Sequence, residues 1–186
     1  MISPKVIDDF LKEKGDNWDW LKSLSKQELD DFLKESYSDY KYKTFTPLKH
    51  QTVALLIGMV SSDFLFFLGM GAGKTRISFD IAQYLRDKKG LGKTIVIVPN
   101  EVAITTWVDQ AKIHSFLKIC GLFGNSKKRW DILESVDADI YAINYDGFQS
   151  MVSVPKTTKK RGKTTTKYVT DIQLLNKFSR HFEMVI

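Results

Sequence analysis

The stretch FLFFLGMGAGKTRISFD, residues 64–80, restricts this chain more than any other part of it. A short apolar run, Phe64 to Leu68, leads into a turn with glycine at 69, 71 and 73, and Gly73-Lys74-Thr75 opens a helix-like continuation. Glycines allow the backbone to turn tightly and bring its N–H groups together, and the following helix adds the positive end of its dipole. The run is therefore predicted to be a buried strand, the turn a phosphate-binding loop, and residues 75–86 a helix. Lys74 would reach the β- and γ-phosphates as a point charge, and the Thr75 hydroxyl would ligate the Mg²⁺ that bridges them. The strict pattern G-x-x-x-x-G-K-[ST] asks for glycine at position 68, where this chain has leucine. The competing reading is a glycine-rich turn with a solvated lysine.

With 186 residues, 43% of them apolar, the chain can bury a core of one domain or slightly more. Its single cysteine, Cys120, excludes an intrachain disulfide and makes the reducing cytoplasm the simplest compartment. His50, His114 and His181 have no companion ligands in the sequence, so no structural zinc is expected. The N-terminus carries acids and no apolar core segment, and the apolar run from Val53 is broken at Ser61-Ser62-Asp63, so neither a signal peptide nor a membrane span is expected. Charge is uneven: residues 1–40 carry −4, and the remainder carries +10. A positive field over the part that holds the loop attracts nucleotides and nucleic-acid backbone.

Residues 1–43 read as a helical accessory. Ser3-Pro4 suits a cap and first turn, and Ser25-Lys26-Gln27-Glu28 is a capping box before Leu29, Phe32 and Leu33. Trp18, Trp20, Leu21 and Leu24 add apolar surface. Residues 44–186 alternate helix and strand, as an α/β domain with a parallel sheet does. Helices are expected at 47–60, 101–117, 127–134 and 171–181, the last with Ile172, Leu175 and Phe178 on one face. Strands are expected at 94–98, 119–123, 140–143 and from Glu183, with a turn or short helix at 145–151. Residues 154–170, VPKTTKKRGKTTTKYVT, lack almost all apolar side chains and are predicted to form a long, mobile basic loop. Lys156, Lys159, Lys160, Arg161, Lys163 and Lys167 could meet nucleic-acid phosphates there, or the segment could be a plain surface insertion.

Four features in order, Leu48-Lys49-His50-Gln51, LGMGAGKT, the strand ending at Pro99-Asn100, and Asn144-Tyr145-Asp146, resemble the N-terminal RecA-like domain of superfamily 2 helicases, especially the Swi/Snf-related translocases. The resemblance covers residues 44–186. It implies a P-loop NTPase fold in which Leu68 is a family trait. It further implies that Gln51 reads adenine and that Gly69, Met70, Gly71, Ala72, Gly73, Lys74, Thr75 and Arg76 surround ATP and Mg²⁺. Pro99, Asn100, Asn144 and Tyr145 would meet nucleic acid, together with Lys159, Lys160 and Arg161 of the basic segment. Trp107 would pack in the core.

In that family the strand beginning at Glu183 carries the acidic motif that positions Mg²⁺ and water, and a second RecA-like domain supplies an arginine finger. The expectation is thus an ATP-binding half of a DNA helicase or translocase, acting on double-stranded DNA, with little hydrolysis of its own. A protein partner could bind through the N-terminal helices. The alternatives are a RecA-like module that binds nucleic acid or protein without turnover, a P-loop kinase, and a register in which Ile140–Asp146 is itself the acidic-motif strand.

Overall fold

A computed structural model describes residues 19–61, 65–160 and 163–186. Two compact units are present: the chain through Gly90 with Lys112–Phe116, and Leu91–Ala111 with Leu117–Ile186. The expected Ser3-Pro4 cap, Trp18, Phe64 and Arg161 lie outside the described residues.

The described elements of the first unit are helices. α1 (Asp19–Ser23) precedes α2 (Lys26–Ser36), and the capping box at Ser25 forms as the sequence demands. Ser25 Oγ accepts from the Glu28 amide at 3.2 Å, and the Glu28 carboxylate accepts from the Ser25 amide at 2.7 Å. Leu29 and Leu33 point inward from this helix. α3 (Lys49–Val60) is apolar on every side and is correspondingly buried over most of its length. α4 (Lys74–Lys89) runs between Gly73 and Gly90, both left-handed. α2 packs on α3, and α3 on α4.

One expectation fails here. Residues 65–69 form no strand, and Leu65 and Phe67 are 75% and 91% exposed. An apolar run becomes a strand only by pairing with neighbouring backbone, and the helices of this unit offer none.

The second unit carries the sheet. β1 (Thr94–Val98), β2 (Ile119–Gly121), β3 (Ile140–Asn144) and β6 (Met184–Val185) are ordered β2-β3-β1-β6, with every pair parallel. Central parallel strands are covered on both faces and read as continuous apolar runs, as TIVIV and IYAIN do. The connecting helices are α5 (Glu101–His114), α6 (Ser126–Ser135), α7 (Tyr145–Val152) and α8 (Ile172–Ser179). Ile95, Leu122, Leu133, Tyr141, Ile143, Met151 and Phe178 form the core. The buried Tyr141 hydroxyl donates to the Val136 carbonyl and accepts from the Ala138 amide, so no polar atom is stranded there. Asp171 caps α8, and Ile172, expected on its apolar face, is exposed. Trp107 is half-buried.

The basic segment is a second correction. Residues 154–160 and 163–170 are not loop: β4 (Ser153–Lys160) and β5 (Lys163–Thr170) pair antiparallel from Ser153 opposite Thr170 to Lys160 opposite Lys163. Low apolar content had argued for disorder, yet threonines at 157, 158, 164, 165, 166 and 170 are β-branched and favour a pleated backbone.

Among the described residues no helix is long and apolar enough to cross a membrane, and no group of three or more side chains could hold a metal ion. Ile143, fully buried at the centre of β3, tests the sheet core. Ile143→Ala should lower unfolding free energy by about 2–5 kcal/mol in urea titrations; a loss below about 1 kcal/mol would place the strand outside the core.

Candidate nucleotide site and strand-end surface

In the first unit the glycine-rich turn delivers the chain into α4 through Gly73, whose φ of 84° suits glycine. No side chain caps this helix, so the N–H groups of its first turn face outward without an internal acceptor. A Cβ added at Gly69 or Gly71 would meet nothing within 4 Å, so that side of the turn is open. At Gly73 a Cβ would sit 2.3 Å from Gln51 Nε2, so α3 presses against the turn. Lys74 folds back over it, with Nζ donating to the Leu68 and Gly69 carbonyls at 2.9 Å each. Thr75 is half-buried, and Met70 is fully exposed.

Gln51 is 5% exposed, and both ends of its carboxamide are engaged. Oε1 accepts from the Leu48 amide at 2.9 Å, closing the first turn of α3, while Nε2 donates to the Ala72 carbonyl at 3.1 Å. His50 Nε2 lies 3.1 Å from the same carbonyl. In a planar trans peptide the N–H points opposite to the C=O. Holding the Ala72 oxygen toward α3 therefore turns the Gly73 N–H away from α3.

Immediately after Thr75 the helix buries a charge. Arg76 stacks over the Phe45 ring at 4.4 Å, donates from Nη2 to the Phe45 carbonyl, and pairs through Nε with Asp80 at 3.5 Å. Tyr40 donates its hydroxyl to Asp80 at 2.8 Å. Burial dominates at Asp80: despite the arginine and the tyrosine, its carboxyl is pushed up to about 6.

In the second unit, β1 and β3 are in register with Val98 opposite Asn144, so both chains leave the sheet at one edge. Pro99 and Asn100 are exposed there, and Asn100 Oδ1 caps α5 through the Ala103 amide at 2.9 Å. Asn144 is buried and caps α7 through the Gly147 amide at 3.2 Å, leaving Tyr145 exposed beside it. Arg129 is buried behind this edge. It donates to the Leu122 carbonyl at 3.2 Å and Ser150 Oγ at 3.1 Å, and lies 3.8 Å from the Glu101 carboxylate. A Cβ at Gly147 would fall 2.5 Å from Asn144 Oδ1 and 3.0 Å from Arg129 Nε, so a side chain there would displace the cap or the guanidinium.

A family model described as the type III restriction enzyme, res subunit, matches residues 44–185. The chain belongs to that family. The res-subunit domain is a helicase-like P-loop ATPase domain of superfamily 2, and the parallel α/β sheet described above is its fold. A relative called "Putative protein p41", from Acyrthosiphon pisum secondary endosymbiont phage 1, is 30% identical over 118 residues, which is 60% of this chain and 25% of that protein. The chain therefore spans about a quarter of that relative's length.

Res-subunit domains generally use ATP and Mg²⁺ and bind nucleic acid. The residues here fit such a ligand: an uncapped helix start, an open glycine turn, and a lysine whose hydrogen-bond acceptors are neutral carbonyls. Of the predicted site residues, the structure brings Gln51, the loop and Arg76 together in one unit, and Pro99, Asn100, Asn144 and Tyr145 together in the other. Lys159 and Lys160 lie toward the far end of the β4–β5 pair, away from its base at Ser153 and Thr170. Sequence reading missed Phe45, His50, Tyr40, Asp80 and Arg129. His50 adjoins Gln51, which was the available signal; Arg129 is indistinguishable in sequence from its neighbours Lys127 and Lys128.

Asp80 yields a pH prediction. An acid that holds its proton more tightly in the folded state favours folding at low pH, and that contribution is lost as pH rises from about 4 through 6. Its ionisation costs the fold up to roughly 3 kcal/mol above that window. The stability of wild type should fall more between pH 4 and 7 than that of Asp80→Asn, which cannot titrate. Identical pH profiles in urea unfolding would show that Asp80 titrates normally.

Proposed function

We propose that this chain is the ATP-binding N-terminal half of an ATP-dependent DNA helicase or translocase of superfamily 2, of the kind represented by Swi/Snf-related motors. The observation that carries the reading is the start of α4: an uncapped helix, entered through a glycine turn, with Lys74 folded over neutral carbonyls, in a chain of this family. The Lys74 amine exchanges the Leu68 and Gly69 carbonyls for phosphate oxygens, and the amides of the first turn of α4 donate to them. Thr75 offers its hydroxyl to magnesium. Bound ATP–Mg²⁺ supplies the transferable phosphoryl group and the charge that neutralises it.

Gln51 and His50 act on the loop. By fixing the Ala72 carbonyl they keep the Gly73 N–H turned outward, so the loop is ordered before an anion arrives. Gln51 would reach adenine only by giving up one of its two present bonds. Arg76 and Phe45 anchor the segment on either side of α3 and the loop.

Pro99, Asn100 and Tyr145 form the nucleic-acid surface at the strand ends, and Asn144 and Arg129 hold its shape. The partner is double-stranded DNA in a cytoplasmic setting, with residues 44–186 as the motor-type domain and residues 1–43 as its helical accessory. β1 closes on Val98 and β3 on Asn144, neither of them a carboxylate, and on this reading the isolated chain binds without turnover.

Lys74→Ala should weaken binding of a fluorescent ATP analogue by at least about tenfold, since it removes a charge-assisted contact worth roughly 1.5–3 kcal/mol. Unchanged affinity would overturn the nucleotide reading. DNA-stimulated ATP hydrolysis by the isolated chain, abolished by the same substitution, would overturn binding without turnover.

A further inference from the structure

The β4–β5 ribbon has a charge pattern that its own fold does not explain. From Ser153 to Thr170 there are five lysines and one arginine and no acid. The register places Lys156 opposite Lys167 and Lys160 opposite Lys163. Alternation along a strand has period two, so these four positions share one face with Val154, Val169, Thr158 and Thr165. The other face takes Pro155 with Tyr168, Thr157 with Thr166, and Lys159 with Thr164. Its threonines are in contact, with Thr157 Oγ1 and Thr166 Oγ1 3.3 Å apart.

Like charges directly opposite one another destabilise a strand pair, and a two-stranded ribbon alone is only marginally stable. Side chains 154–158 and 164–170 are all exposed, so core packing does not offset the repulsion. The Asp171 amide closes the base on the Val152 carbonyl at 2.8 Å, where the ribbon joins α7 and α8. A polyanion would relieve what the chain itself does not.

We propose that this ribbon is a preformed arm for duplex DNA, with its lysine face laid into the major groove. Eight residues per strand give a ribbon about 26 Å long, and the two lysine pairs stand about 13 Å apart along it. A major groove about 12 Å wide admits a two-stranded ribbon, whereas the deep, narrow groove of duplex RNA does not. Lys156 and Lys167, opposite one another and exposed, would each reach one wall of phosphates, and the Lys160–Lys163 pair occupies the next such position along the ribbon. Phosphate contacts fix position and orientation without carrying sequence information, so the arm grips chiefly through the DNA backbone. This inference rests on the nucleic-acid part of the proposed function.

The test is the salt dependence of binding to a 20-base-pair DNA duplex, with the matching RNA duplex and anionic phosphatidylserine vesicles as comparisons. Lys156→Gln with Lys167→Gln removes two phosphate contacts and should make the log–log salt slope shallower by about 2, a roughly tenfold change in the wild-type to variant affinity ratio between 50 and 200 mM salt. Thr157→Ala with Thr166→Ala, on the opposite face, should leave the slope unchanged. Lys156→Glu should weaken DNA binding while increasing hydrogen-exchange protection of the ribbon, because an opposite charge then faces Lys167.

DNA binding whose slope is the same in the lysine double variant overturns the arm while leaving the motor reading intact. Equal affinity for duplex RNA or the vesicles also overturns it. Failure to bind DNA at all removes both, and nucleotide binding by Lys74 would still be tested separately.

Discussion

The parallel pairing of β1 with β3 sets the layout of the second unit. Five consecutive pairs, from Thr94 with Ile140 to Val98 with Asn144, bring two chain segments more than forty residues apart to the same edge at the same height. Because the strands run in one direction, each must turn into a helix beyond that edge, and both turns are capped by an asparagine, Asn100 and Asn144. Both capping oxygens are engaged by backbone amides, but Asn144 is withdrawn into the protein while Asn100 stays exposed at the edge with Pro99 and Tyr145. A shift of one residue in this pairing would turn the apolar side chains of β3 to the opposite face and separate the two turns.

The first unit is organised by a different economy. A buried arginine is tolerated next to the phosphate loop because an aromatic face, a carbonyl and a carboxylate share it, yet its Nη1 has no hydrogen-bond partner in the structure. Asp80 answers the arginine but is itself so deeply placed that burial outweighs the attraction. Such a buried group of charges is a poor source of net stability, because taking the ions out of water offsets much of their attraction. It fixes Phe45, and with it the entry to α3, relative to the helix that begins at Lys74.

Much of this was legible in the sequence where a local pattern has one physical outcome. The capping box at Ser25, the β-branched run at 94–98 and the glycine turn before Lys74 each formed in place. The apolar run before the loop did not become a strand, because apolar character supplies a reason to be buried and says nothing of an available partner. The basic segment failed in the opposite sense: its lysines concealed a threonine pattern that favours pairing. Phe45, Tyr40, Asp80 and Arg129 were out of reach because their significance comes from neighbours many residues away. The roles of Gln51 and Asn144 are subtler. The sequence marks both for contact with a ligand, and both are engaged in holding backbone.

The bond between Arg76 and the Phe45 carbonyl closes a circuit. The chain leaves Phe45, passes through α3 and the glycine turn, and returns to its starting point one residue beyond Thr75. Closing a segment of this length costs chain entropy, and that cost is incurred once, during folding. On the proposed function, phosphate binding at the turn would reorient Lys74 without meeting that closure cost again. A loop built in this way behaves less like a flexible strap than like the rim of a hoop.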